Sequence, residues 1–172
     1  GDLETLWFNT GTLCNLTCEN CYIESSPKND RLVYLSASEV DEFLREATYH
    51  RLGTTEIGFT GGEPFMNPDL IIMLENVLSR GFEALVLTNG MRPLMKCSEA
   101  ILSLNPREKC KFRISLDHFT QIGHERIRGK NTWEPALQGL KWLCKQGFPV
   151  SVASRTCWTH SEDIMRKGFG TL

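Results

Sequence analysis

Residues 56–90 read EIGFTGGEPFMNPDLIIMLENVLSRGFEALVLTNG, and this stretch decides the fold class. Glu56 to Thr60 and Ala84 to Thr88 have the composition of short strands. Between them Leu70, Leu74, Val77 and Leu78 recur at helical spacing, and Gly81 closes the helix. A strand, a helix and a second strand in this order form a crossover unit, which makes the two strands parallel.

The alternation continues on both sides. Further strands are expected at Leu6 to Asn9, Lys111 to Leu116 and Val150 to Ser154. Ser36 or Ser38, followed three residues later by Glu39 or Asp41, resembles a capping box ahead of the stripe Val40, Phe43, Leu44 and Ala47. Leu137, Leu140, Leu143 and Cys144 form another helical stripe closed by Gly147, Ser98 to Leu104 a shorter one, and a last helix begins near Ser161. Residues 24–35, with Ser25, Ser26, Pro27 and Asn29, read as a surface loop. The expected architecture is one α/β domain over residues 1–172 with an array of βα units. Five strands leave a curved parallel sheet open at its edges. Further strands of a longer parent protein, a partner, dimerisation or the final segment is expected to cover the open edge.

Composition excludes several classes. With 172 residues, 41% apolar and 23% charged, the chain has the makeup of a soluble globular domain. Nineteen Lys and Arg against 21 Asp and Glu give a net charge of -2, so no excess cation is available for a nucleic-acid backbone. Apolar runs reach five residues at most, and the opening GDLETLWFNT lacks the basic start and apolar stretch of a secretory signal. A cytoplasmic protein without nucleic-acid or membrane partners is expected.

The seven cysteines are an odd number, and three of them, Cys14, Cys18 and Cys21, fall within eight residues. Such clustering points to reduced thiolates used as soft metal ligands. Structural zinc would require a fourth ligand, and the nearest histidine, His50, is 29 residues beyond Cys21. A 4Fe–4S cluster held by three cysteines would leave one iron open to an outside ligand. Cys97, Cys110, Cys144 and Cys157 stand alone and read as small buried apolar residues.

The remaining unusual residues fall at the carboxyl ends of the strands, where parallel barrels carry their reactive groups. The first strand runs into the cysteines, the second into Gly61, Gly62, Glu63 and Pro64, the third into Thr88, Asn89 and Gly90, the fourth into Ser115 and Asp117, and the fifth into Arg155. Strand alternation sends Phe112, Ile114 and Leu116 toward the helices and Arg113, Ser115 and Asp117 inward. By the same rule Val150 and Val152 point outward while Ser151, Ala153 and Arg155 point inward. Each turn taken singly is an ordinary loop, cap or surface ion pair. Their shared location favours a binding site in which an Arg fork grips a carboxylate. Trp7, Phe8, Phe65 and Phe119 are candidates for a pocket or for core.

On these residues the chain resembles the radical S-adenosylmethionine superfamily. Its CxxxCxxC motif corresponds to Cys14, Cys18 and Cys21, followed by Tyr22, and its Gly-Gly-Glu-Pro element to Gly61–Pro64. Thr88–Gly90, Ser115–Asp117 and the stretch His124, Glu125, Arg128, Gly129 are similar to members related to molybdenum-cofactor synthases and peptide maturases. The resemblance implies a partial (β/α)6 TIM-like barrel of parallel strands, truncated after about five βα units, with the first loop carrying a 4Fe–4S cluster. It implies S-adenosyl-L-methionine chelated at the open iron and reductive cleavage to a 5'-deoxyadenosyl radical that abstracts hydrogen.

Carried over to this chain, the backbone of Gly61, Gly62 and Glu63 would hold the methionyl amine, and Pro64 belongs to the same cofactor site. Ser115 would meet the ribose or carboxylate, and Arg128 or Arg155 would oppose the carboxylate. Tyr22, Thr88, Asn89 and Asp117 complete the implied cofactor site. A small-molecule or peptide substrate and a flavodoxin- or ferredoxin-type electron donor are the implied partners. His118 stands where such members often have Gly, the cysteine-rich extension that binds auxiliary clusters does not follow, and a sixth strand is missing. A 4Fe–4S electron carrier, an inactive fragment that needs a partner or a C-terminal half, and a structural zinc protein are the alternatives.

Overall fold

A computed structural model describes residues 3–156 and 159–172. Five parallel strands lie in chain order in one open sheet: β1 (Thr5–Asn9), β2 (Glu56–Thr60), β3 (Glu83–Thr88), β4 (Cys110–Ser115) and β5 (Val150–Ala153). The helices are α1 (Ala37–Tyr49), α2 (Leu70–Ser79), α3 (Arg92–Lys96), α4 (Ser98–Ser103), α5 (Gln121–Arg128), α6 (Trp133–Lys145) and α7 (Glu162–Phe169). The expected strands agree to within a residue at each end. The α3 and α5 helices have no sequence counterpart in the reading above, because α3 is one turn long and α5 is polar over most of its length.

Local chemistry starts α1 where the sequence indicates. The Ser36 hydroxyl accepts from the Glu39 N–H at 3.3 Å, and the Glu39 carboxylate accepts from the Ser36 N–H at 2.8 Å. The reciprocal pair satisfies donors that a helix start leaves open, and it turns Val40, Leu44 and Ala47 onto the sheet. Phe43 lies beside this stripe, half-exposed, and packs against Phe8 of the edge strand. A buried Asn67 joins three segments: its Nδ2 donates to the carbonyls of Thr10 and Leu35, and its Oδ1 accepts from the Asp69 N–H. Asp69 in turn accepts from the Ala37 N–H, which links the starts of α1 and α2.

Strand alternation divides the sheet. The helix-facing row, including Ile57, Phe59, Ala84, Val86, Phe112 and Ile114, is fully buried, as expected of a parallel sheet covered by helices. The concave row is more polar and more open. There the Trp7 ring lies across Gly58, where an added Cβ would meet the ring at 2.3 Å. Trp7 is therefore 43% exposed on the concave face, whereas Phe8 and Phe65 belong to the core. Phe119 stacks on His118 and packs edge-on against Phe169 of α7. At the base of the concave row Lys111 Nζ bridges Glu56 at 3.2 Å and Glu83 at 2.5 Å.

The β5 edge stays open. The outward residue Val152 is 37% exposed, because no strand pairs beyond β5 in the described sheet. The final segment, α7, buries none of its residues and leaves a cavity of about 710 Å³ against β5. Among the described residues no helix is long and apolar enough to cross a membrane.

The lone cysteines divide in two. Cys110 is fully buried, and burial pushes its thiol up to about 12; Cys97 is half-buried. Cys144 departs from expectation and is exposed, since Leu143 fills the core position in the last turn of α6. Cys157 lies outside the described residues.

Helix α6 packs tightly on the turn after β3 at Gly139, where an added Cβ would fall 1.8 Å from the Gly90 carbonyl oxygen. Neither backbone can yield without moving a packed element. Gly139→Ala should therefore destabilise the protein by about 2–3 kcal/mol despite the better helix propensity of Ala. Thermal denaturation should register this as a fall in Tm of roughly 5–10 °C.

Candidate active site

The cysteine loop leaves β1 and is joined at once to the turn after β2. The Gly62 N–H donates to the Gly11 carbonyl at 2.8 Å, and the Glu63 N–H donates to the Leu13 carbonyl at 3.0 Å. A Cβ on Gly62 would stand 2.2 Å from the Leu13 oxygen, and one on Gly61, at φ +142°, would stand 2.7 Å from the Gly11 oxygen. The glycine pair is required by this backbone contact. Further along the loop, the Cys14 N–H donates to the Ser26 carbonyl and the Leu16 N–H to Cys14 Sγ.

Glu63 works from behind the site. It is 2% exposed and accepts from the Thr88 hydroxyl at 2.7 Å, the Asn89 N–H at 2.8 Å and the Phe65 N–H at 3.2 Å. Burial pushes its carboxyl up, opposed by the Asn89, Thr88 and Phe65 donors and by Arg128. Three donors on one carboxylate lock the β2 turn to the β3 turn. Asn89 extends the chain of contacts, since its Nδ2 donates to Asn15 Oδ1 in the cysteine loop at 2.8 Å.

From the other side, Asp117 takes two arginines. Arg128 Nε reaches Asp117 Oδ2 at 2.7 Å and Arg155 Nε reaches Oδ1 at 3.3 Å, with the carboxylate side chain 2% exposed. Arg155 Nη1 also donates to the Glu19 carbonyl at 2.6 Å, and Arg128 Nη1 approaches Cys18 Sγ at 4.0 Å. The Glu19 N–H donates to the Ile127 carbonyl at 2.9 Å. The segment between the second and third cysteines is thus anchored by the ends of β4, α5 and β5.

These contacts enclose a cavity of about 520 Å³ at the carboxyl ends of the strands. Cys14, Cys18 and Cys21 line it together with Tyr22, Gly61, Gly62, Thr88, Asn89, Ser115, Asp117, Arg128 and Arg155. Glu63 and Pro64 do not; they lie behind its wall. Tyr22 stands at the rim, 75% exposed, with its hydroxyl 3.0 Å from Thr60 Oγ1. Ala153, read as inward-facing from strand alternation, lines the cavity, as do Thr60 and Leu87, which the sequence reading did not single out although the same alternation puts them in the inward rows. Ser25, Ser154, Leu16 and Ile127 line it from loops and the α5 turn, for which no periodicity exists to read.

The donor set fits a cluster. Burial pushes the Cys14 thiol up to about 12; the Leu16 N–H opposes this, while Glu63, Cys18 and Cys21 add to it. Cys18 is also raised by burial, against the pull of Arg128 and Arg155. Metal binding to thiols of this kind displaces their protons. Among the described residues no three metal-ligating side chains converge on a single ion. Cubane ligands bind separate irons and line a cavity, whereas a closed zinc site draws four ligands to one point. Ser25 lines this cavity, and its buried hydroxyl has no hydrogen-bond partner.

Residues 8–162 match the Radical SAM superfamily, and the chain belongs to it. The cofactors of this superfamily, and so of this chain, are a 4Fe–4S cluster and S-adenosylmethionine. It is 32% identical over 142 residues to the antilisterial bacteriocin subtilosin biosynthesis protein AlbA of Bacillus subtilis. It is 27% identical over 142 residues to a probable GTP 3',8-cyclase of Pyrococcus horikoshii. Both alignments cover 81% of this chain, and both relatives belong to the branch its motifs resemble. The chain spans 30% and 42% of the length of these relatives, so any extension carrying auxiliary clusters would lie outside the aligned part.

Streptococcus suis SuiB bound to S-adenosylmethionine has the same fold, with a TM-score of 0.77 at 17% identity over 96% of this chain and 37% of that one. Methylornithine synthase gives 0.71 at 17% identity over 97% and 50%. The fold is that of the radical SAM barrel, represented here by five parallel strands in an open sheet.

His124 supports the Asp117 turn from beneath. Fully buried, it accepts the Asp117 N–H on Nδ1 at 3.3 Å and packs edge-on against Trp133. Burial and then Arg128 lower its pKa from 6.5 to about 4, against weaker attraction from Asp117 and Glu125. Between those values the unfolded chain binds a proton that the folded chain refuses. Its contribution is therefore fully present above about pH 6.5 and is lost as pH falls toward 4, by on the order of 3 kcal/mol. Denaturant titrations from pH 7 to 4 should show this slope in the wild type and a shallower one in His124→Gln.

Proposed function

We propose that the chain is the S-adenosylmethionine-cleaving core of an iron–sulfur enzyme that abstracts hydrogen from its substrate. The observation that carries this reading is the convergence of the three cysteines, the glycine pair, Ser115 and both arginines on one cavity of about 520 Å³. Cys14, Cys18 and Cys21 would hold three irons. When bound, the reduced cluster supplies the electron that splits the sulfonium into methionine and a 5'-deoxyadenosyl radical.

The protein's part is binding, orientation and exclusion of water. Gly61 and Gly62 present backbone without side chains, which lets the methionyl amine come close. Ser115 offers a hydroxyl to the ribose. Arg128 or Arg155 opposes the carboxylate, since both line the cavity and both keep part of their fork beyond the Asp117 contact. Leu16, Leu87 and Ile127 give the cavity an apolar lining that keeps water from a reactive species. An electron carrier needs no nucleoside-sized space beside its cluster, so the cavity favours the enzyme.

The substrate is read as a small molecule or a peptide. AlbA takes part in bacteriocin biosynthesis and SuiB has been solved with its precursor peptide SuiA, which supports the peptide. A flavodoxin- or ferredoxin-type protein would deliver the electron. The open β5 edge would be covered by further chain, a partner or a second copy, and reduced thiols fit a cytoplasmic setting.

Anaerobic reconstitution should load four irons and four sulfides per chain. Dithionite and S-adenosylmethionine should then yield 5'-deoxyadenosine, detected chromatographically. Cys18→Ala should lose most of the iron and all of the product. Four irons without cleavage would favour the carrier or an inactive fragment, and zinc without sulfide would refute the cluster.

A further inference from the structure

Arg128 does something that cofactor binding alone does not require. Its side chain is 13% exposed in the last turn of α5, and its guanidinium is held at two points. Nε is fixed on Asp117 Oδ2 at 2.7 Å, and Nη1 stands 4.0 Å from Cys18 Sγ. A long cationic side chain is normally free to swing away into water; here the buried carboxylate prevents it.

The charge is therefore delivered to a fixed place. Asp117 is shared with Arg155, so the group of three carries a net single positive charge beside the cysteine loop. The Arg128 and Asp117 side chains are 13% and 2% exposed, so this charge is screened less than one on the surface. Cluster potentials respond to net charge, hydrogen bonding at sulfur and exposure. Adding one electron to a cluster makes its surroundings more negative, and a fixed cation lowers the free energy of that state.

We propose that Arg128 is a positioning residue that sets the reduction potential of the cluster, holding it high enough for a protein donor to reduce. The inference rests on the cluster reading above. Asp117 acts through Arg128 by fixing its direction, and Arg155 keeps Asp117 paired when Arg128 is altered, so a change at 128 leaves no buried charge without a partner.

The test is an EPR-monitored titration of the one-electron 2+/1+ couple in the reconstituted chain, with dithionite as reductant. Arg128→Gln should keep four irons and move the midpoint to a more negative potential. Arg128→Lys, which restores charge without the fork, should recover most of the shift. Arg126→Gln removes an exposed cation two residues away and should leave the midpoint where it is.

An unchanged midpoint in iron-replete Arg128→Gln, or an equal shift in Arg126→Gln, overturns the proposal. If Arg128→Gln loses iron while Arg128→Lys holds four at the wild-type potential, the charge requirement stands. Loss of iron in both variants makes Arg128 a steric clamp and refutes it. Failure of the wild-type chain to take up four irons would instead refute the cluster reading itself.

Discussion

The site depends on a backbone contact with no room for a side chain. Gly61 and Gly62 lie so close to the carbonyls of Gly11 and Leu13 that any Cβ would overlap them, and the hydrogen bonds from Gly62 and Glu63 hold the contact shut. This contact sets the height of the cysteine loop above the sheet. Without it the loop after β1 would lose this tie to the β2 turn and keep its contacts with Asn89, Arg155 and Ile127.

Two ionic assemblies then hold the cavity from opposite sides, and they differ in kind. Glu63 is an acceptor fully satisfied by hydroxyl and backbone donors, so it fastens one turn to the next and faces no ligand. Asp117 is satisfied by charge, with two guanidinium groups whose remaining donors reach the cysteine loop. Both carboxylates are buried, yet only the second puts charge on the cavity wall. Removing a partner from such a group costs more than the pair contributes, which is why each is found with every neighbour in place.

The motifs of the superfamily take on separate physical duties in this light. The glycine pair makes room, the glutamate after it fastens turns, the Ser-Leu-Asp turn gathers the arginines, and the histidine of the following helix supports that turn from the core. Relatives such as AlbA and the GTP 3',8-cyclase act in different processes, and the chain spans 30% of the first and 42% of the second. What the chain shares with them is the aligned 81% of its length, and the family match over residues 8–162 takes in the cysteine loop and the turns at the strand ends.

Much was legible in the chain itself. The spacing of Cys14, Cys18 and Cys21, the alternation in β4 and the capping box at Ser36 are local patterns, in which residue type and interval carry the information directly. They were enough for parallel strands, a thiolate cluster and a site at the strand ends. Which side chains face the cavity was decided by contacts between residues far apart in sequence: Arg155 with Glu19, Asn89 with Asn15, Arg128 with both Asp117 and Cys18. No periodicity encodes such pairings. Ser25 and Ile127 entered the wall, Glu63 withdrew behind it and Cys144 turned to solvent because packing across the whole domain, and not the neighbours along the chain, sets where a loop or a last helical turn comes to rest.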